Sequence, residues 1–210
     1  MIRILSVDDH AIVRNGVKIL FEGQPDLAAF GEASNAQEAM RLVREQDWDV
    51  VVMDITLGDR SGIEVMKDLI SIRPRLPVLM LTMHSEAQYA RRAFKAGAAG
   101  YITKDSLPEE LAAAINKVAN GGKYISPALA ELLIMDVDSG IDKAPHESLS
   151  DREFEILCLI ASGKTISEIA ALISRSVKTV STYRARILAK MGLHTNAELT
   201  YYAVHNKLVE

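Results

Sequence analysis

The chain has 210 residues, 49% of them hydrophobic, with 24 Lys and Arg against 28 Asp and Glu and a formal net charge of −4. These are ordinary globular values, and the length allows one or two domains, each with its own core. No apolar stretch reaches the roughly 18 residues of a membrane span, the N-terminus enters a strand with no signal-peptide layout, and the single cysteine, Cys158, rules out an intrachain disulfide and fits a reducing, cytoplasmic setting.

Ile2 to Val7 is an apolar run rich in Ile, the pattern of a buried parallel strand, and it ends at Asp8 and Asp9. A helical pattern at 11–22, a strand at 27–32 and a helix at 36–46 follow. Val50 to Met53 is a second apolar run, and it ends at Asp54. Beyond it come a helix at 62–72, a strand at 77–81 leading to Thr82, a helix at 86–96, a strand at 100–102 leading through Thr103 to Lys104, and a helix at 108–120. Such alternation argues for an α/β fold, a doubly wound parallel sheet with helices on both faces. Gly58, Gly62, Pro77, Gly97 and Gly100 punctuate it as turn residues.

In such a sheet, acids at the carboxyl ends of neighbouring strands converge on one rim, where ligands bind. Three carboxylates at close range repel unless a cation lies among them. Oxygen donors suit Mg²⁺, which takes one or two carboxylates and keeps several waters. Asp8, Asp9 and Asp54 are therefore expected to hold Mg²⁺, with Asp54 able to attack a phosphoryl group. Thr82 and Lys104, at the ends of the next strands, supply a hydroxyl and a cation for the phosphoryl oxygens. Singly, each residue has a plainer reading. Lys104 is a solvated charge, Thr82 a helix cap, and Asp8-Asp9 a cap for the helix that follows. Their joint occurrence at successive strand ends favours a site.

Residues 125–147 read as a linker, carrying 1 base and 5 acids. Residues 148–210 show no strand pattern. Three capping boxes, Ser150 with Glu153, Thr165 with Glu168 and Thr195 with Glu198, open helices near 151–162, 166–173 and 196–206. Periodicity adds a fourth at 177–191. Gly163 and Gly192 stand where helices stop, and Cys158 falls among core residues. The result is a small all-α domain of four helices. Its stretch 164–190 holds six bases and one acid, Glu168, the only basic concentration worth testing as a nucleic-acid surface. On a helical wheel of 177–191, Val177, Val180, Ile187, Leu188 and Met191 form an apolar arc. Lys178, Ser181, Thr182, Ala185, Arg186 and Ala189 form an opposite face without an acid. A compact apolar helix before it completes a helix-turn-helix, whose second helix enters the DNA major groove.

Residues 1–124 resemble the receiver domain of two-component response regulators. The likeness is carried by Asp8-Asp9, Asp54, Thr82 and the stretch Ala96-Gly-Ala-Ala-Gly-Tyr-Ile-Thr-Lys104. It implies a flavodoxin-like, five-stranded sheet of order 2-1-3-4-5. It further implies Asp54 as phosphoacceptor, Thr82 and Tyr101 as switch residues, Lys104 as the phosphoryl partner, and the Thr56 carbonyl as a further Mg²⁺ ligand. The stretch Leu57-Gly58-Asp59 replaces the family's usual Met-Pro and leaves the rigidity of that loop open; Thr56 and His84 stand where the family tunes phosphoryl lifetime. Residues 148–210 resemble the LuxR-type helix-turn-helix domain through Leu149-Ser150-x-Arg152-Glu153, Gly163, Glu168-Ile169-Ala170, Lys178-Thr179-Val180 and Lys190-Met191-Gly192. Ser174 and Arg175 replace the Gly or Asn and apolar residue usual in its turn. Lys178, Thr179, Ser181, Thr182, Tyr183, Arg184, Ala185 and Arg186 become the candidate DNA contacts. Arg184, in the apolar arc, is read either as a partner of an acid such as Glu155 or as a contact to the DNA backbone.

Together the two resemblances imply a transcriptional regulator of the NarL/FixJ type, not a turnover enzyme. A sensor histidine kinase phosphorylates Asp54, Thr82 and Lys104 close on the new charge, Tyr101 turns inward, and the protein dimerises on double-stranded DNA, with RNA polymerase a further candidate partner. The alternatives are a ligand-governed DNA binder with a degenerate receiver, and a phosphoaspartate-type phosphatase, whose Asp-x-Asp signature Asp54-Ile55-Thr56 does not match.

Overall fold

The computed structural model describes residues 1–58, 60–83, 87–106, 108–127, 129–131 and 144–209; Asp59, His84 and most of the linker lie outside them. The chain divides into two compact units, Met1–Asp136 and Val137–Glu210. No helix among the described residues is long and apolar enough to cross a membrane.

In the first unit, strands β1 (Ile2–Val7), β2 (Leu27–Ala33), β3 (Val50–Met53), β4 (Val78–Thr82), β5 (Gly100–Thr103) and β6 (Tyr124–Ile125) form one sheet in the order β2-β1-β3-β4-β5-β6. All pairings are parallel. The expected order holds, with one correction: the sheet has six strands. The sixth is two residues long and follows Gly121-Gly122, so it shows no apolar run; it joins β5 by pairing Gly100 with Tyr124 and Tyr101 with Ile125.

Helices α1 (Ala11–Phe21), α2 (Ala36–Glu45), α3 (Gly62–Ile72), α4 (Ala87–Lys95) and α5 (Pro108–Ala119) connect the strands. Every residue of β3 and β4 is buried, as strands covered on both faces require. On one face, Ile4, Val50, Val52, Leu79, Leu81 and Ile102 meet Val17 and Phe21 of α1 and Ala114, Ile115 and Val118 of α5. The alternate residues Leu5, Val7, Val51, Met53 and Met80 point to the other face and are equally buried. Right-handed crossovers put α1 on one face and α2, α3 and α4 on the other, because β1 to β2 runs against the direction of the later steps. The crossover through α5 breaks this rule, since α5 shares the face of α1 while the sheet continues in the same direction to β6.

The second unit contains a 3₁₀ turn (Pro145–Ser148), then α6 (Asp151–Ala161), α7 (Ile166–Leu172), α8 (Val177–Met191) and α9 (Asn196–His205). The capping boxes of Ser150 with Glu153 and Thr165 with Glu168 are both complete. The third is half formed: Thr195 caps Glu198 N–H, but the Glu198 carboxylate accepts from His194 N–H at 2.7 Å. Cys158 is buried, and its thiol faces the Leu208 carbonyl at 3.6 Å. Arg152 and Glu155 form a buried ion pair at 2.8 Å, and Arg152 also donates to Ile173 O at 3.3 Å, tying α6 to the end of α7.

The helix-turn-helix turn closes as a Schellman motif: Ser174 N–H donates to Ala171 O and Arg175 N–H to Ala170 O. Ser174 is therefore left-handed, with φ of +51°, in a region that disfavours any residue with a Cβ. The turn is thus tight without the family's usual residue. Ser174→Gly is expected to raise the stability of this unit by about 0.5–1 kcal/mol, relief of the left-handed strain exceeding glycine's added unfolded-state entropy. Thermal melting checks this, and a lowered Tm would show that the serine hydroxyl contributes more than its backbone strain removes.

Candidate functional site

The carboxyl ends of β1 and β3 lie side by side because Val7 pairs with Met53. Asp54 N–H donates to Val7 O at 2.9 Å, and Asp8 N–H donates to Ala33 O at 3.1 Å. Both acids are consequently held at the rim, where Asp8 and Asp54 are buried and Asp9 is half-buried. Lys104 Nζ lies 2.7 Å from Asp8 Oδ2 and 2.7 Å from Asp54 Oδ2. The lysine is aimed there by its own backbone, whose N–H donates to Thr82 O at 2.8 Å. Thr82 ends β4 opposite Thr103 and is fully buried.

Burial pushes the Asp54 carboxyl up to about 6, with neighbouring Asp8 acting in the same direction. The Lys104 ammonium and the Thr56 backbone N–H, which donates to Asp54, oppose that rise. The two carboxylates in turn raise Lys104 above its ordinary value, against the opposite pull of its burial. Two carboxylates thus share one ammonium with a third acid, Asp9, beside them, a set that favours a further cation.

Ligand atoms of Asp8, Asp9, His10 and Asp54 all lie within 4.8 Å of one another. His10 Nδ1 sits 2.8 Å from Asp9 Oδ1 and 3.1 Å from Asp8 Oδ1. Sequence reasoning missed this imidazole, although its place directly after the acid pair was a usable signal. It also missed Arg14, which donates to the Asp8 carbonyl at 2.7 Å, one helical turn further on. Gly62 was read only as turn punctuation, yet a Cβ there would lie 1.8 Å from Asp54 O.

Tyr101 is fully buried in β5. Its side chain is therefore already shielded from solvent. The loop after Asp54 is held without proline: Ile55 and Leu57 are fully buried, Gly62 N–H donates to Ile55 O at 2.6 Å, and Thr56 bridges to Ser61.

In the second unit, α8 is capped by Ser176, which accepts from Thr179 N–H at 3.1 Å. Val180, Ile187, Leu188 and Met191 are buried, as the wheel requires, but Val177 is 50% exposed. Lys178, Ser181, Thr182, Ala185, Arg186 and Ala189 are exposed together. Thr179 and Tyr183 are half-buried, and the Thr179 hydroxyl is engaged with Ser176 at 2.8 Å. The Thr182 hydroxyl donates to Lys178 O at 3.0 Å. Arg184 is not the partner of Glu155, which pairs with Arg152. Its Nε donates to Asn196 Oδ1 at 2.5 Å instead. An amide on the next helix, remote in sequence, was the unseen partner.

Both units match known protein families. Residues 4–116 match the family described as response regulator receiver domain, and residues 147–203 match bacterial regulatory proteins, luxR family. The response regulator UvrY of Escherichia coli K12 is 34% identical over 209 residues, covering 99% of this chain and 96% of its own. The transcriptional regulatory protein LiaR of Bacillus subtilis 168 is 37% identical over 210 residues, covering all of both chains. A two-component response regulator of the LuxR family from Aurantimonas sp. SI85-9A1 superimposes with a TM-score of 0.62 at 41% identity, over 66% of this chain and 99% of that one. The chain belongs to the NarL/FixJ-type response regulators, DNA-binding transcriptional regulators that join a receiver domain to a LuxR-type helix-turn-helix domain.

Proposed function

We propose that Asp54 accepts a phosphoryl group from a sensor histidine kinase and that α8 then reads promoter DNA as part of a homodimer. The observation that carries the first half is Lys104 Nζ lying 2.7 Å from both Asp8 and Asp54 at one sheet rim. An oxygen of Asp54 attacks phosphorus as the kinase's histidine nitrogen leaves. Lys104 shifts its ammonium from the carboxylates to a phosphoryl oxygen, and the Thr82 hydroxyl donates to another. The donor set fits Mg²⁺: Asp8, Asp9 and Asp54 converge, and the Thr56 carbonyl would complete the protein ligands. Bound there, Mg²⁺ supplies neutralisation of the phosphoryl oxygens.

Phosphorylation adds close to two negative charges at a rim that already holds three carboxyl groups. The loop carrying Thr82 and the Lys104 side chain adjust to that charge, and the altered face favours dimerisation in the cytoplasm, before α8 meets DNA. With Mg²⁺ and a small phosphodonor, intact-mass spectrometry should find one added phosphate on the wild type and none on Asp54→Ala. The DNA affinity of Asp54→Ala should no longer respond to the donor. A donor response retained in that variant would refute the switch.

The α8 residues divide by chemistry. Arg186 lies on the exposed face with no acid beside it, suited to a phosphate. The Ser181 hydroxyl is free to turn toward a base edge, whereas Thr182 spends its proton on Lys178 O. Arg186→Ala should weaken specific and random DNA alike and reduce the salt slope by about 1. Ser181→Ala should change sequence preference and leave the slope unchanged. Equal losses on both DNA types for both variants would refute the division.

A further inference from the structure

Val177 is the one residue of the apolar arc of α8 left half exposed. Val180, Ile187, Leu188 and Met191 are all buried. It is the first residue of the helix, one turn before Ser181, and so stands at the amino-terminal end of the exposed polar strip. The residues at that end of a recognition helix are those that meet base edges. Among the groups a base pair offers in the major groove, the thymine C5-methyl is the apolar one.

The start of α8 differs from those of its neighbours in a way that suits this role. Helices α6, α7 and α9 each carry at least one acid in the first turn, whereas α8 carries none and opens with Val177 and Lys178. An acid there would strengthen the helix through its dipole but would repel phosphates. A β-branched residue adds nothing to a helix start. Its one preferred rotamer does hold two methyl groups in fixed positions, so contact with a flat apolar target sacrifices little side-chain freedom.

We propose that Val177 is a specificity-determining residue that reads a thymine methyl group. The inference rests on α8 being the recognition helix, and its test separates the two. Full-length protein activated with beryllofluoride selects its preferred duplex from a random pool. Each thymine of that duplex is then replaced by uracil, which lacks only the methyl, and affinities are compared for wild type, Val177→Ala and Val177→Thr.

One thymine in each half-site should matter to the wild type by about fourfold, the worth of one buried methyl group. Val177→Ala should bind the parent duplex about fourfold more weakly and be indifferent to demethylation at that same thymine. Its affinity for random DNA should be unchanged. Val177→Thr, which keeps the volume, should retain part of the methyl sensitivity. A wild-type methyl profile in both variants, or no sensitive thymine at all, would overturn the proposal while leaving α8 as the recognition helix. A selection that returns no preferred sequence would overturn the recognition-helix reading and this proposal together.

Discussion

Gly62→Ala is expected to lose phosphoryl acceptance by at least about a hundredfold and to destabilise the receiver unit by about 3 kcal/mol or more. Gly62 needs no left-handed backbone; what it needs is space. An alanine Cβ would lie 1.8 Å from the backbone oxygen of Asp54, 2.8 Å from its carbonyl carbon and 3.1 Å from Ile55 Cα. All three are backbone atoms, so no rotamer change relieves the overlap. The segment must move by more than 1 Å, and what it carries is the nucleophile itself. Movement is opposed by the Gly62 N–H bond to Ile55 O at 2.6 Å, by the Thr56–Ser61 bridge, and by the full burial of Ile55 and Leu57. The side chain is thus forced either to break the loop or to shift Asp54 away from Lys104. Chemical denaturation and the rate of phosphorylation by acetyl phosphate measure the two consequences. A variant that is phosphorylated at near wild-type rate would show that the loop yields without moving the carboxylate.

The same loop shows what the sequence could and could not disclose. Asp8, Asp9, Asp54, Thr82 and Lys104 were legible because each follows an apolar strand run, and parallel strands bring their ends to one rim without further information. The caps of Ser150 and Thr165 were legible because both partners lie within four residues. Gly62 was not, because the atom it must avoid belongs to a segment folded back over it. Strand β6 was hidden for a related reason: its two residues gain their order from β5, not from a pattern of their own. Val177 was misplaced because a helical wheel treats the first turn as though it had neighbours on every side. At a helix start one side opens to solvent, and Val177 is 50% exposed there. Arg184 found an amide partner, Asn196, where charge reasoning sought an acid. The rigidity left open by the missing proline is supplied by buried Ile55 and Leu57, a tertiary effect on a local departure.

In metal-free buffer, Asp54 should make the receiver unit less stable as the pH rises from about 4 through about 6. Its carboxyl titrates near 6 in the folded chain against 3.8 for the free group, and burial is the main cause. Between those values the folded state holds a proton that the unfolded chain has released. Raising the pH through this window therefore favours unfolding, and the penalty at neutral pH reaches up to about 3 kcal/mol. The Lys104 ammonium already opposes this shift, so the penalty is what remains after that pairing. Other carboxylates act with the opposite sign: Glu38, held below its ordinary value by hydrogen bonds from Ser34, adds stability as the pH rises. The decisive quantity is thus the difference between wild type and Asp54→Asn. The asparagine variant should gain on the wild type through the pH window and be the more stable protein at pH 7. Because a divalent cation binds the ionised cluster, added Mg²⁺ should raise the wild-type Tm at pH 7 and leave it nearly unchanged near pH 4. A difference between wild type and Asp54→Asn that stays flat across the window would show that Asp54 is ionised at little cost.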